Sequence, residues 1–370
     1  MAQLRILIAG GGTGGHIFPA LAVARALVSC YGAEILMVGT PRGLESRLIP
    51  EAGFNLKLIE VGPLNSVSLL TKIRTVAELP RSVFACNRLM REFNPGAVLG
   101  VGGYASGPAM AAALLLKIPT MAFEPNAMPG LANRLIGKRV QASAINFPGA
   151  AKWFRHAELT GVPVRAEFFS LAPPPELPIA PPHLLIFGGS QGARILNTQM
   201  PRVIPALLDD VPGLTVLHQS GLRNFEVTEA AYKESGADPA RFEVRPFLND
   251  MAEQFSRTHL VVSRSGASTV GEEAAAGKPA LLVPFALAAD EHQRRNAEAM
   301  QAAGAAVMLL ESDLEVPGKL LETLVGLLRS PDRLASMSAA ARAQAHPGAA
   351  ERIADRLAQM AGQQVSKSAG

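Results

Sequence analysis

Residues 263–296, SRSGASTVGEEAAAGKPALLVPFALAADEHQRRN, carry the chain's densest set of side chains able to hold a phosphorylated sugar. Ser265, Gly266, Ala267, Ser268 and Thr269 follow the apolar run HLVV and lead into a helix expected from Val270, with Glu272 in its first turn. Exposed N-terminal amides beside hydroxyls form a cradle for an anion, and a carboxylate one turn on suits two neighbouring sugar hydroxyls. Gly277 and Pro279 close that helix. The run PALLVPF then delivers Asp290, Glu291, His292, Gln293 and Asn296 to the same strand edge, where imidazole, amide and carboxylate groups can read the hydroxyls of a hexose. Taken singly, a Ser/Thr cluster before a helix is a cap and a first-turn Glu complements the dipole, worth roughly 0.3–1 kcal/mol. The conjunction with glycine loops upstream is what points to a nucleotide.

The elements that must position these groups are legible as apolar runs. LRILIAG, AEILMVG, FNLKLIEV, GAVLGVGG, PTMAFEPN and RVQASAINF alternate with helix-like segments in the first half. HLLIFGG, LTVLHQSG, FEVRPFL, HLVVSRSG, PALLVPF and AAVMLL repeat the pattern after residue 182. Continuous rather than alternating hydrophobicity marks strands buried on both faces, so the fold class is α/β, with two doubly wound parallel sheets facing a central cleft. The segment GVPVR at 161–165 and the Pro-rich stretch 172–182 hold the linker, which places the domains at 1–165 and 166–346.

Each half opens with a glycine loop after its first strand: Gly10, Gly11, Gly12, Thr13, Gly14 and Gly15 in one, Gly188, Gly189, Ser190, Gln191 and Gly192 in the other. A third, from Gly102 to Gly107, follows the fourth strand. All lie at carboxyl ends of strands, where open α/β sheets bind ligands. Gly10, Gly12 and Gly15 also fit the dinucleotide fingerprint, but the second strand ends in Gly39 and Thr40 without the acidic residue that would hold an adenosine ribose. Glu45 comes later and falls in the next helix.

His16 stands where the first loop becomes a helix; the dipole there disfavours its charged form, which suits it to accept a proton. Glu124 and Asn126, in FEPN after the fifth strand, either reach the cleft or fix their own loop. No two histidines stand at ligand spacing and no Asp-x-Asp pair exists, so neither metal nor cofactor is expected. A departing diphosphate would then rest on amides, hydroxyls and arginines such as Arg165 and Arg194.

Composition narrows the class. The 370 residues exceed one ordinary core, and 48% hydrophobic content supplies two. Cys30 and Cys86 form no paired motif, which fits a reducing compartment. No run approaches the roughly 18–20 apolar residues that span a bilayer. Net charge is +4, basic residues are scattered and aromatics are only 5%, so no nucleic-acid partner is expected. Residues 69–90 recur in Leu, Ile, Val and Phe at helical spacing, with Lys72, Arg81 and Arg88 along the margin and Phe84 on the apolar side. Such a helix either packs on the sheet or lies on an anionic membrane surface.

GGTGGHIFPALAVA at 11–24, GVGGYASGPAMAAA at 100–113, GGSQGARILN at 188–197 and RSGASTVGEEAAAGKPALLVPF at 264–285 closely resemble the MurG family, the N-acetylglucosaminyltransferases of bacterial cell-wall synthesis. The resemblance spans essentially the whole chain, with the motifs in the family's order and spacing. It implies a GT-B fold of two Rossmann-like domains, the last helix, about 347–362, crossing back to the first. It implies transfer of GlcNAc from UDP-GlcNAc to the MurNAc 4-hydroxyl of lipid I, giving lipid II with inversion. Ser190 and Ala267, Ser268 and Thr269 would hold the diphosphate, Glu272 the ribose, His292 and Gln293 the GlcNAc hydroxyls, and backbone at Leu248 the uracil. Thr13, Gly14, Gly15, Asn126 and Arg165 match further donor positions. His16 would be the base, with Glu124 the alternative. The family implies a peripheral place on the cytoplasmic face of the plasma membrane, which strengthens the membrane reading of the helix at 69–90, and partners among cell-wall synthesis and division proteins.

Two departures bear on donor contacts: Pro125 stands where members often have Gln, and His292 where some do. Another GT-B enzyme, a glycolipid synthase or UDP-GlcNAc epimerase, would share the architecture but not the four motifs together. A non-catalytic membrane scaffold would have no need of His16 and Glu272.

Overall fold

The computed structural model describes residues 3–12, 14–41, 43–61, 69–171, 181–288 and 291–362, with the side chains of 69–77 outside the description. Thr13, Asp290, the side chain of Lys72 and most of the Pro-rich stretch therefore lie outside the described residues. The chain divides into two compact units, Met1–Val164 with Gly348–Gly370, and Arg165–Pro347.

Unit 1 holds seven parallel strands: β1 (Arg5–Ala9), β2 (Glu34–Gly39), β3 (Asn55–Leu58), β4 (Ala97–Gly100), β5 (Thr120–Glu124), β6 (Ala142–Ile145) and β7 (Ala157–Leu159). Their order is β3-β2-β1-β4-β5-β6-β7, with the reversal of winding between β1 and β4. The central strands are buried on both faces, as a parallel sheet covered by crossover helices requires. Strand β7 is the one absent from the sequence reading: its three residues are all exposed, so no apolar run announces it. The helices that concern the site are α1 (Gly14–Tyr31), α2 (Glu45–Glu51), α3 (Leu69–Phe93), α4 (Ser106–Leu115) and α5 (Leu131–Ile136).

Unit 2 repeats the scheme with β8 (His183–Phe187), β9 (Thr215–Gln219), β10 (Phe242–Arg245), β11 (Leu260–Ser263), β12 (Ala280–Leu282) and β13 (Ala306–Met308), ordered β10-β9-β8-β11-β12-β13. These six are the six runs read from the sequence. Its helices are α6 (Arg194–Asp210), α7 (Phe225–Glu234), α8 (Met251–Arg257), α9 (Ala267–Ala276), α10 (His292–Ala302), α11 (Lys319–Leu328) and α12 (Pro331–Ala343).

The last helix, α13 (Ala349–Met360), belongs to unit 1 and packs on α1. Ile353, Ala354, Leu357 and Ala358 are all fully buried in the same cluster as β1 and α1. Burying an Ile or Leu side chain contributes about 1.5–3 kcal/mol. Two polar ties fix the helix: Tyr31 Oη donates to Asp355 Oδ1 at 2.6 Å, and Arg352 donates to the carbonyl of Thr160. Burial first, then the carboxylate of Asp355, pushes the Tyr31 hydroxyl up to about 12. Among the described residues, no helix is long and apolar enough to cross a membrane.

Candidate active site

In unit 2 the carboxyl ends of β8 to β12 carry the polar loops. Helix α9 starts at Ala267, three residues earlier than the sequence suggested, because Gly266 already takes the extended cap conformation (φ −63°, ψ 147°). Ala267, Ser268 and Thr269 are thus the first turn itself, and Glu272 sits in the second. Gly266 has no side chain with which to cap the amides of that turn. The Ser268 hydroxyl is enclosed without a hydrogen-bond partner. Gly277 ends the helix in the left-handed conformation (φ 61°), with Lys278 N donating to Glu273 O at 2.8 Å.

Glu272 is partly buried, and burial pushes its carboxyl up to about 7, with Arg165 pulling it down and Glu167 pushing it up. Arg165 therefore stands within electrostatic reach of Glu272, and it belongs to unit 2. Its guanidinium lies 4.7 Å from the ring centre of buried Phe168 and pairs with Glu167 at 2.9 Å, which orients a half-exposed cation beside the carboxylate.

The neighbouring Glu273 points the other way. It is fully buried, and Ser263 Oγ approaches its Oε1 at 2.6 Å while Oε2 has no partner. Burial pushes this carboxyl up to about 8. Two adjacent carboxyls on one helix thus divide: Glu272 stands beside Arg165 and Glu167, and Glu273 lies in the core.

The polar loop before α10 is knit to the protein more than the sequence implied. Gln293 Oε1 accepts from Phe285 N at 2.9 Å, and its carbonyl accepts from Ser265 Oγ at 2.7 Å. Asn296 is fully buried and donates to Ser265 O at 3.1 Å, so it braces the loop from below rather than reading a hexose. His292 is the first residue of α10. Arg264, which the sequence reading passed over, donates to Val283 O at 3.0 Å and pairs with Glu311, with Phe285 5.2 Å away.

On the other side of the same sheet edge, Ser190 is exposed at the tip of the second glycine loop. A Cβ at Gly192 would overlap Ser220 O, and one at Gly221 would overlap Gln191 O, so two loops interlock through bare backbone. Asn197 donates to Ser220 O at 2.9 Å and secures that contact from α6. Arg194 lies along a groove of about 480 Å³ between α6 and α7. Leu248 is buried just beyond β10.

In unit 1, Gly14, Gly15 and His16 form the first turn of α1. The imidazole of His16 lies over Gly102, where a Cβ would stand 2.9 Å from Nε2. Glu124, at the end of β5, is buried and fully engaged. Its Oε1 accepts from Asn126 N and Nδ2, both at 3.0 Å, and its Oε2 from Gly130 N at 3.0 Å and Asn133 Nδ2 at 2.9 Å. Burial pushes its carboxyl up and these donors pull it only part of the way back. Of the two readings open for Glu124, this geometry is that of a loop organiser that holds Asn126.

Among the described residues no three His, Cys, Asp or Glu side chains gather as a metal site. On α3, Ser82, Cys86 and Met90 face the core, whereas Arg81, Phe84 and Arg88 face outward, Phe84 at 74% exposure and Arg88 paired with Glu92 at 2.8 Å.

Comparison with known proteins places this arrangement. The glycosyltransferase family 28 N-terminal domain matches residues 6–145 and the C-terminal domain of the same family matches residues 183–353. The chain is 41% identical to the UDP-N-acetylglucosamine--N-acetylmuramyl-(pentapeptide) pyrophosphoryl-undecaprenol N-acetylglucosamine transferase of Anaeromyxobacter sp. (strain Fw109-5), covering 99% of this chain and 96% of the relative. It is 43% identical to the enzyme of the same name from Solibacter usitatus (strain Ellin6076), covering 96% of each. The crystal structure of Acinetobacter baumannii MurG superposes with a TM-score of 0.79 at 31% identity, covering 96% of this chain and 99% of that one. With two parallel-sheet Rossmann-like units and full-length relatives of one name, this chain belongs to glycosyltransferase family 28 and, within it, to the MurG family of N-acetylglucosaminyltransferases.

Proposed function

We propose that the chain transfers GlcNAc from UDP-GlcNAc to the MurNAc 4-hydroxyl of lipid I, forming lipid II with inversion at the anomeric carbon. The observation that carries this reading is the trio in unit 2 of an uncapped first turn on α9, Glu272 one turn on, and Arg165 beside it. Amides of Ala267, Ser268 and Thr269, with Ser190, take the diphosphate; Glu272 accepts from both ribose hydroxyls; backbone at Leu248 meets the uracil. His292 and Gln293 read the GlcNAc hydroxyls. Gly14, Gly15 and Asn126 of unit 1, with Thr13, supply further donor contacts.

His16 accepts the proton of the acceptor hydroxyl as that oxygen attacks the anomeric carbon, and the bond to the UDP oxygen breaks on the opposite face. The negative charge arriving on the diphosphate falls on the α9 amides and Arg165, already in place before the reaction. Glu124 serves by fixing Asn126.

The acceptor's lipid places the enzyme at the cytoplasmic face of the membrane. Supporting this, three neighbouring helices present apolar side chains outward: Phe84 on α3, Leu115 on α4 and Leu135 on α5, at 74%, 71% and 62% exposure. Exposed Arg81, Lys117 and Arg139 lie near them in the chain. Apolar side chains with a cationic margin suit an anionic headgroup layer.

The test is transfer of labelled GlcNAc to a lipid I analogue with EDTA present and UDP-glucose competing. EDTA-insensitive product selective for UDP-GlcNAc is expected. UDP-GlcNAc binding without product would reassign the acceptor, and conversion of UDP-GlcNAc alone to its epimer would replace the reading.

A further inference from the structure

The two glycine loops that open the units differ in one respect: the first already contains an anion. Glu45 begins α2 and has no exposed surface. Its Oε2 accepts from Gly12 N at 2.8 Å, and its Oε1 accepts from Thr40 N at 3.0 Å and Thr40 Oγ1 at 2.8 Å. The chain makes room for it: a Cβ on Gly11, Gly39 or Gly43 would overlap its side chain. Burial favours the neutral acid, but the donated bonds from Gly12, its own amide and Thr40 win and hold the carboxyl below its ordinary value. The carboxylate thus takes the seat for an anion at the Gly12 amide and ties the loop to the end of β2.

From that seat the contacts run directly to His16. Gly11 packs so closely on Gly103 that a Cβ there would overlap the Gly11 carbonyl, and the adjacent Gly102 carries the imidazole of His16. Moving Gly12 moves both the first turn of α1, on which His16 stands, and the backbone under its ring.

We infer that Glu45 is a positioning residue: an internal anion that occupies the amide of Gly12 in the first glycine loop, sets the imidazole of His16 against Gly102, and leaves the donor's diphosphate to unit 2. This rests on the transferase reading for its effect on turnover, while the filled seat itself does not. A dinucleotide at the fingerprint Gly10, Gly12 and Gly15 would bring a second anion against this buried carboxylate.

The experiment uses Glu45→Ala in the full chain, with acetate as the probe, because the atoms removed are a methylene, a carboxyl carbon and two oxygens. Turnover is expected to fall on the order of 100-fold, the cost of a misplacement near 1 Å. UDP affinity should stay within about twofold, since the groups proposed for its diphosphate, ribose and uracil all lie in unit 2 and none touches Glu45. Acetate, but not chloride at matched ionic strength, should raise both the turnover and the melting temperature of Glu45→Ala and neither property of the wild type. Wild-type turnover in the variant, a parallel loss of UDP affinity, or no response to acetate overturns the inference. Should Glu45→Ala fail to fold, Glu45→Gln replaces it: it keeps an oxygen for Thr40 but turns an amide N–H against that of Gly12, so turnover must fall with UDP affinity retained, and unchanged turnover overturns the inference. If the wild type makes no product, the transferase reading fails and the acetate-dependent melting shift alone decides whether the seat is filled as described.

Discussion

Glu124→Gln separates a loop organiser from a proton acceptor. The carboxylate takes two N–H donors on each oxygen, from Asn126 on one side and from Gly130 and Asn133 on the other. Glutamine has one carbonyl oxygen, so whichever way it turns, its NH2 confronts two donors. Asn133 is only 2% exposed whereas Asn126 is half-exposed, so the amide should turn its nitrogen toward Asn126, whose donors can find water. Each unsatisfied buried donor costs about 1–3 kcal/mol, and the pair on the half-exposed side about 3 kcal/mol in all. For a unit of this size 1 kcal/mol is worth about 2–4 °C, which gives a fall in melting temperature of roughly 6–12 °C. Calorimetry measures it, alongside KM for UDP-GlcNAc, which should rise as Asn126 is released. A variant that melts like the wild type while its kcat drops by about 10²–10⁴, the usual worth of a general base, would refute the reasoning and make Glu124 the base.

Glu272, with its carboxyl near 7, must lose its proton to accept from both ribose hydroxyls. UDP-GlcNAc affinity should therefore weaken as pH falls through about 7, by at most tenfold per unit, and titration calorimetry on Glu272→Gln should find a weaker, pH-flat affinity. Glu273, raised from 4.5 to about 8, binds its proton more tightly folded than unfolded, so its contribution to stability is full below 4.5 and lost as pH rises toward 8. Urea melts of Glu273→Gln should show a shallower decline over that window, because glutamine has no proton to lose there and its carbonyl oxygen still accepts from Ser263 Oγ; an unchanged slope assigns it elsewhere. Phe84→Asp with Arg81→Glu should reduce sedimentation with anionic vesicles while leaving UDP affinity intact, and equal sedimentation would return this face of α3 to a purely solvated role.

The central strands were legible because a strand buried on both faces of a parallel sheet reads as an unbroken apolar run, whereas β3 (NLKL) and β10 (FEVR) carry charged residues within them. Exposed β7 had no such signal. The loops at strand ends were legible as glycine clusters, but their internal partners were not. Gly12 and Glu45 are separated by 33 residues, and no periodicity connects an amide to a carboxylate at that range. The available sign was steric: glycines at 39 and 43 around a lone Glu mark a place where backbone yields to a side chain. Asn296 was read among the sugar contacts because polarity in a loop cannot tell outward reach from inward bracing. Its full burial and its hydrogen bond to Ser265 O make that distinction.

Because α13 closes the core of unit 1 although it follows all of unit 2 in the chain, synthesis and completion run in opposite order. At about 5–20 residues per second, roughly ten to forty seconds separate translation of Val164 from that of the residues that cover α1. During that interval the first-made unit waits with an uncovered apolar seam while the second can already fold around its own sheet. Nascent-chain vulnerability is therefore concentrated in the half that emerges first, and a premature stop before Ala349 would damage the unit most distant from it in sequence.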